Sequence, residues 1–226
     1  MNIVDFHSHI LPYADHGSDS LDTTITQLKL AQEAGVQRIV FTPHYYPHRE
    51  NPEKFIERRE KCYNHLMKSM TTELVDVRLG AEVLICDSIE DIPMLDQLCI
   101  RGTKVLLLEL PFVDFTESYV NSVRCLLRDG YDVILAHADR YDPDNINRLI
   151  SAGARIQLNA DSISGLFIKK HIKHWLEQGY VYAIGSDIHG TDKHAYKTFK
   201  TAIKKISKYS EDIKSRSDLI WNMSKK

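Results

Sequence analysis

Ile3-Val4-Asp5-Phe6-His7-Ser8-His9 is a short apolar run over residues 3–6 that ends in two histidines one residue apart. On an extended segment alternate side chains share a face, so both imidazoles reach the same point in space. The hand-over from apolar strand to polar group recurs along the chain. Strands expected over 38–41, 74–80, 104–109, 132–136, 155–158 and 181–184 carry or lead into His44, Glu82, Glu109, His137, Asn159 and the alternating Asp187-Ile188-His189. Between them the spacing of apolar residues predicts helices over 21–34 (capped by Ser20, stopped at Gly35), 52–70, 116–128, 143–152, 168–178 and 194–209. Strand and helix alternate with no Pro/Gly/Ser-rich linker, which predicts one α/β domain over 1–226 with a mainly parallel sheet. The pattern alone fits both an open doubly wound sheet and a closed barrel. The seven polar strand ends lean to the barrel, whose functional groups gather on that face.

Composition narrows the function classes. The chain has 226 residues, with 29 basic against 31 acidic side chains and a formal charge of -2. That balance supplies neither the basic footprint of a nucleic-acid binder nor a polybasic membrane anchor. No apolar run approaches the roughly 20 residues that span a bilayer, so no membrane insertion is expected. The first five residues lack a basic n-region leading into an apolar h-region, so no signal peptide is expected either. Cys62, Cys86, Cys99 and Cys125 form no CxxC pair, which removes a zinc knuckle or redox motif and fits a reducing, cytoplasmic location. What stands out is 11 histidines, about one residue in 20.

Taken singly, each polar strand end has an ordinary explanation. Glu109, inside an apolar run, suits a buried ion pair as well as a metal ligand, Glu82 a surface carboxylate, and His137 a core histidine bonded to a carbonyl. Taken together they share one explanation. Three carboxylates (Glu82, Glu109, Asp187) and six imidazoles (His7, His9, His16, His44, His137, His189) exceed the needs of one tetrahedral ion and suit two or three divalent ions. A nitrogen and oxygen set without thiolate favours manganese, iron or zinc over calcium or copper.

These residues carry a family resemblance. Asp5-Phe6-His7-Ser8-His9-Ile10-Leu11-Pro12, Gly17-Ser18-Asp19-Ser20, Thr42-Pro43-His44, Gly80-Ala81-Glu82, Leu108-Glu109-Leu110-Pro111-Phe112, Ala136-His137-Ala138-Asp139-Arg140-Tyr141 and Gly185-Ser186-Asp187-Ile188-His189 occur in this order. The chain resembles the PHP (polymerase and histidinol phosphatase) phosphoesterases. Within them it is similar to the bacterial tyrosine-protein phosphatases of capsular and exopolysaccharide loci. The resemblance implies a distorted, TIM-like barrel of seven strands, (β/α)7, and a site of up to three ions, manganese ahead of iron or zinc. By the family pattern His7, His9, Glu82 and Asp187 hold the first ion. Glu82, Glu109 and His137 hold the second, and His16, His44 and His189 the third.

The same pattern makes Arg140 the phosphate-binding arginine and puts Asp187 and His137 at the reacting centre. It also implies a phosphotyrosine protein as substrate, the tyrosine-rich tail of a bacterial kinase. Two positions depart from the subgroup. His16 stands where most members have aspartate, and a second phosphate arginine falls on His194, with Lys193 beside it. No cysteine is followed six residues on by arginine, which disfavours a cysteine-phosphate intermediate. The rival readings are a small-molecule phosphatase, for histidinol phosphate among others, and a metal-binding regulator without turnover.

Overall fold

The structure is a computed structural model that describes residues 3–70 and 75–222. Its strands are β1 (Ile3–Ser8), β2 (Val36–Phe41), β3 (His44–Tyr45), β4 (Asp76–Leu79), β5 (Glu82–Leu84), β6 (Val105–Glu109), β7 (Asp132–Leu135), β8 (Arg155–Asn159) and β9 (Val181–Gly185). They form two sheets, β1-β2-β4 and β3-β5-β6-β7-β8-β9, and every strand pairing is parallel. The helices are α1 (Leu21–Ala34), α2 (Pro52–Ser69), α3 (Glu117–Arg128), α4 (Pro143–Ser151), α5 (Ala160–Ser164), α6 (Lys170–Glu177), α7 (Ala195–Lys205) and α8 (Ser207–Asn222). Among the described residues no helix is long and apolar enough to cross a membrane.

Local chemistry sets the helix ends. The Ser20 hydroxyl accepts from the Thr23 amide at 3.1 Å, and Gly35 ends α1 at φ 89°, a left-handed conformation that costs glycine little. Asn51 accepts from Lys54 N–H at 3.0 Å ahead of Pro52 in the first turn of α2. Two expectations need correction. The seven expected strands are joined by two short ones, β3 and β5, which follow the second and third after Thr42-Pro43 and Gly80-Ala81. Pro43 has no N–H to give, yet the ladder resumes at once: Gly80 N–H donates to Phe41 O (2.8 Å) and Glu82 N–H to Pro43 O (3.1 Å). The helix expected over 194–209 stops at Lys205, and α8 follows as a separate element. Leu74, the expected start of the third strand, lies outside the described residues.

Two apolar layers flank the strands. The larger lies between strands and helices. The smaller lines the inner face: Val4 and Phe6 of β1, Val40 of β2, Val105 and Leu107 of β6, Ile134 of β7 and Ala183 of β9, joined by Ile220 and Trp221 of α8. Every second residue faces this layer. Continuing that alternation towards the carboxyl ends reaches Thr42 and His44, Glu82, Glu109, Gln157 and Asn159, and Gly185 and Asp187. β1 and β7 reach the same place by a change of phase. Between Asp5 and Ser8 three steps of β1 match two of β2, a bulge that turns His7 inward after Phe6. His137 follows Ala136 in a left-handed conformation, φ 33°. The edges of the two sheets meet where Asp187 N–H donates to His7 O (2.8 Å) and His9 N–H to Ile188 O (3.0 Å).

Candidate metal centre

His7, His9 and Glu82 are fully buried, and the Asp187 side chain is nearly so, at 3% exposed. Their ligand atoms converge. His7 Nε2 and His9 Nε2 lie 2.9 Å apart; each is 3.2 Å from Glu82 Oε2, and they are 3.5 and 3.4 Å from Asp187 Oδ1. On the other side of Glu82, His137 Nε2 sits 2.7 Å from Oε1 and 3.8 Å from Glu109 Oε1. His44 Nδ1 lies 2.9 Å from Glu82 Oε2 and 3.7 Å from Glu109 Oε2. Further out, the His189 ring is 4.1 Å from His9 and 4.9 Å from His16, and His16 stacks on His44 at 4.8 Å. Three overlapping triads therefore have donor atoms within 4.8 Å of one another: His7, His9 and Glu82; His44, Glu82 and Glu109; His9, His44 and His189.

A chain of hydrogen bonds fixes the protons on this cluster. Asp187 Oδ2 only accepts, so Asn159 Nδ2 donates to it at 3.0 Å. Asn159 Oδ1 therefore accepts from Gln157 Nε2 (2.9 Å), which leaves Gln157 Oε1 to accept from His137 N–H (2.7 Å) and His7 Nδ1–H (3.0 Å). With its proton on Nδ1, His7 presents a lone pair at Nε2. His9 is held alike: Nδ1–H donates to Asp15 Oδ2 at 2.8 Å, and Asp15 also accepts from His44 N–H (3.0 Å) and Gly17 N–H (2.8 Å). Two imidazole lone pairs 2.9 Å apart, beside two carboxylates, repel unless a cation or proton lies between them.

Burial leaves His44 Nδ1 and Glu82 Oε2 without a hydrogen-bond partner among the described residues, although they are 2.9 Å apart. An orphaned pair of this kind is rare in protein interiors. The donor set fits divalent ions, and the overlap of the triads through Glu82, His9 and His44 fits more than one.

The electrostatics agree. Burial opposes the ionised form of Glu82, yet His7, His137 and His44 hold its carboxyl well below the usual range. Asp187 is likewise held low against its burial by His7 and His9. Glu109, buried beside the charged Glu82, is pushed up to about 7. Burial and the neighbouring His9 lower His189 to about 4. His7 and His9 are raised: burial works against their charged forms, but the carboxylates around them prevail.

The backbone is shaped for the site. His137 and Asp187 (φ 51°) occupy the left-handed region that side chains other than glycine seldom adopt. A Cβ on Gly17 would lie 2.1 Å from His9 O, and one on Gly185 would lie 2.5 Å from His7 Cβ.

All nine expected ligands therefore lie in one contiguous cluster, with His16 exposed at its outer edge. Arg140 stands at the rim, 43% exposed, and its guanidinium pairs with Asp187 Oδ2. Lys193 and His194 are exposed just before and at the start of α7, and neither side chain makes a hydrogen bond or ion pair with the cluster. Sequence reasoning missed Asp15 and Gln157. The trace of Gln157 was there: a polar residue in the inward phase of the apolar strand 155–158. Asp15 gave none, because it lies in a loop where acidic residues are common.

Comparison with known proteins gives a consistent picture. Residues 3–225 match the family described as capsular polysaccharide synthesis, CpsB/CapC. The chain is 30% identical over 228 residues to a putative tyrosine-protein phosphatase CapC of Staphylococcus aureus, covering 94% of this chain and 88% of that one. It is 26% identical over 208 residues to the tyrosine-protein phosphatase YwqE of Bacillus subtilis, covering 87% and 81%. Among solved structures it resembles one from work on YwqE of Bacillus subtilis and CpsB of Streptococcus pneumoniae, described as metal-dependent tyrosine phosphatases. The TM-score there is 0.80 at 22% identity, covering 99% of this chain and 94% of that one. A probable 2-pyrone-4,6-dicarboxylic acid hydrolase of Acinetobacter baumannii shares the fold more loosely, at TM-score 0.54.

Proposed function

The chain belongs to the CpsB/CapC capsular polysaccharide synthesis family, and from that premise we propose that it is a metal-dependent phosphatase that hydrolyses phosphotyrosine in proteins. One observation carries the reading: a buried set of imidazoles and carboxylates, with His44 Nδ1 and Glu82 Oε2 close together yet without a hydrogen bond, beside the guanidinium of Arg140. We read the two sheets as a ring of seven staves, β2 with β3 and β4 with β5 each forming one stave, in a single domain.

His7, His9, Glu82 and Asp187 would hold one ion, and Glu82, Glu109 and His137 a second. His16, His44 and His189 would hold a third. Manganese suits this set ahead of iron or zinc. Bound ions supply Lewis acidity and bring the pKa of water down towards about 7. Arg140 is the residue that would grip the phosphoryl oxygens and offset charge growing in the transition state. To do so its guanidinium would exchange Asp187 Oδ2 for the substrate, while Oδ1, the oxygen that faces His7 and His9, would serve as the ligand atom. Gln157 and Asp15 keep the Nε2 lone pairs of His7 and His9 aimed inward throughout.

Lys193 and His194, exposed before and at the start of α7, would lack the bidentate fork of the arginine they replace. The substrate class suits the tail of a bacterial tyrosine kinase that controls capsule or exopolysaccharide synthesis. Four free thiols fit a reducing cytoplasm. The test is phosphate release from a phosphotyrosine peptide, a phosphoserine peptide and histidinol phosphate, with manganese and with a chelator. We expect turnover of the phosphotyrosine peptide that the chelator abolishes. Preferred turnover of histidinol phosphate would replace this reading with the small-molecule one, and no turnover with the metal fully bound would leave a regulator.

A further inference from the structure

The loop that follows Glu109 carries an aromatic set on the same side as the metal centre. Phe112 is 73% exposed, and its ring lies 5.6 Å from that of Tyr141. Phe115 meets Tyr119 edge-on at 5.8 Å. These four side chains line a cavity of about 270 Å³ whose wall also includes Arg140. Tyr141 ties the cavity to the centre in two ways. Its hydroxyl donates to Leu110 O at 2.8 Å, next to Glu109, and its ring lies 5.7 Å from the His137 ring. Burial holds its phenol far above the ordinary range, so it stays a neutral donor.

We propose that this cavity is the subsite for the aryl group of the phosphate ester, with Phe112 as a specificity-determining residue. The inference rests on the phosphatase reading above. Aromatic walls favour a flat ring through stacked and edge-on contacts that an alkyl chain does not make. The guanidinium of Arg140 borders both the cavity and Asp187, so an ester spanning them would put its phosphoryl end at the centre and its ring among the four aromatics. The exposure of Phe112 has the same explanation: an exposed apolar face beside a polar site loses area to water when a ring covers it.

The test separates binding from turnover. Calorimetry on the manganese-loaded protein compares phenylphosphonate with methylphosphonate, neither of which can be hydrolysed. We expect the phenyl compound to bind about tenfold tighter. Phe112→Ala should erase that preference and Phe112→Tyr should keep it. Phe167→Ala removes another exposed ring, 83% exposed on the loop after α5, and should leave the preference intact. Equal binding of the two phosphonates, or a preference that survives Phe112→Ala, overturns the subsite. Failure to release phosphate from a phosphotyrosine peptide while the phenyl preference persists sinks the substrate reading and leaves the subsite standing. Turnover of the peptide without that preference does the reverse.

Discussion

On the inner face of the strands two layers lie one or two inward positions apart and could hardly differ more. Val40, Leu107, Ile134 and Ala183 make the lower one, wholly apolar and closed by Trp221. His44, Glu82, Glu109, His137 and Asp187 make the upper one, with side chains at most 11% exposed. The strands that supply both run in the same direction, and those of Leu107 and Glu109 and of Ala183 and Asp187 keep the same phase. The lower layer gains stability from the same burial that the upper layer must resist, because unpaired charge is costly away from water. The upper layer is thus incomplete in itself, and its unsatisfied atoms are the mark of a ligand.

Four measurements break or sharpen this contrast. The largest effect should follow His137→Ala, which removes one upper-layer donor and leaves the lower layer whole. Phosphatase activity should fall by at least about a thousandfold, since metal-centred charge stabilisation amounts to several kcal/mol. Circular dichroism should stay native, and retained activity would remove His137 from the site.

Leu107→Ala strikes the lower layer on the strand that carries Glu109. It should cost about 2–5 kcal/mol in urea denaturation of the metal-free protein, and it should affect metal affinity much less than stability. A large affinity loss at unchanged stability would mean that the layers are not separate.

Gln157→Leu is nearly isosteric, but it unlinks His7 Nδ1, His137 N and, through Asn159, Asp187. Metal affinity should weaken about 10- to 100-fold. Gln157→Glu keeps both acceptor contacts but sets a carboxylate oxygen against Asn159 Oδ1, so its affinity should fall between those of the unsubstituted protein and Gln157→Leu; titration of manganese into each checks the order.

The smallest effect concerns pH. Glu109 is raised from 4.5 to about 7 in the folded, metal-free protein. A raised carboxyl favours the folded state while protonated, so its contribution is present below pH 4.5 and lost as pH rises through about 7. His7 and His9, also raised, act in the same direction above 6.5, whereas the depressed Glu82 and Asp187 lose their contribution only in acid. Glu109→Gln should therefore flatten the fall in melting temperature between pH 5 and 8 measured in chelator, by a few degrees at the upper end. Curves that run parallel would contradict the assignment.

Much of this was legible in the linear chain, for a physical reason. The pairing of ligand-type residues two apart, in His7-Ser8-His9 and Asp187-Ile188-His189, is visible in the chain itself, although a bulge in β1 and the left-handed turn at Asp187 set how each pair faces the site. Apolar runs such as 105–108 and helix limits such as Ser20 and Gly35 depend on neighbours within a few residues, and they emerged as expected. The breaks at Pro43 and Gly80, and the separate α8, did not. Whether a strand pauses or a helix stops depends on what packs across it, and here Trp221 of α8 is held in place by Arg78 and Arg38 from other elements.

The sequence by itself therefore determined the α/β class and the nine candidate ligands, because residue type and short-range spacing carry that information, while Arg140 stood out only through the family resemblance. Only the tertiary structure decided which atoms converge. The lone pair of His7 is set by a relay from Asp187 through Asn159 and Gln157, a link of 150 residues between His7 and Gln157. Lys193 and His194 stand exposed and unpaired with the cluster for the complementary reason: proximity in sequence to Asp187 does not bring a side chain to it once the chain turns into α7.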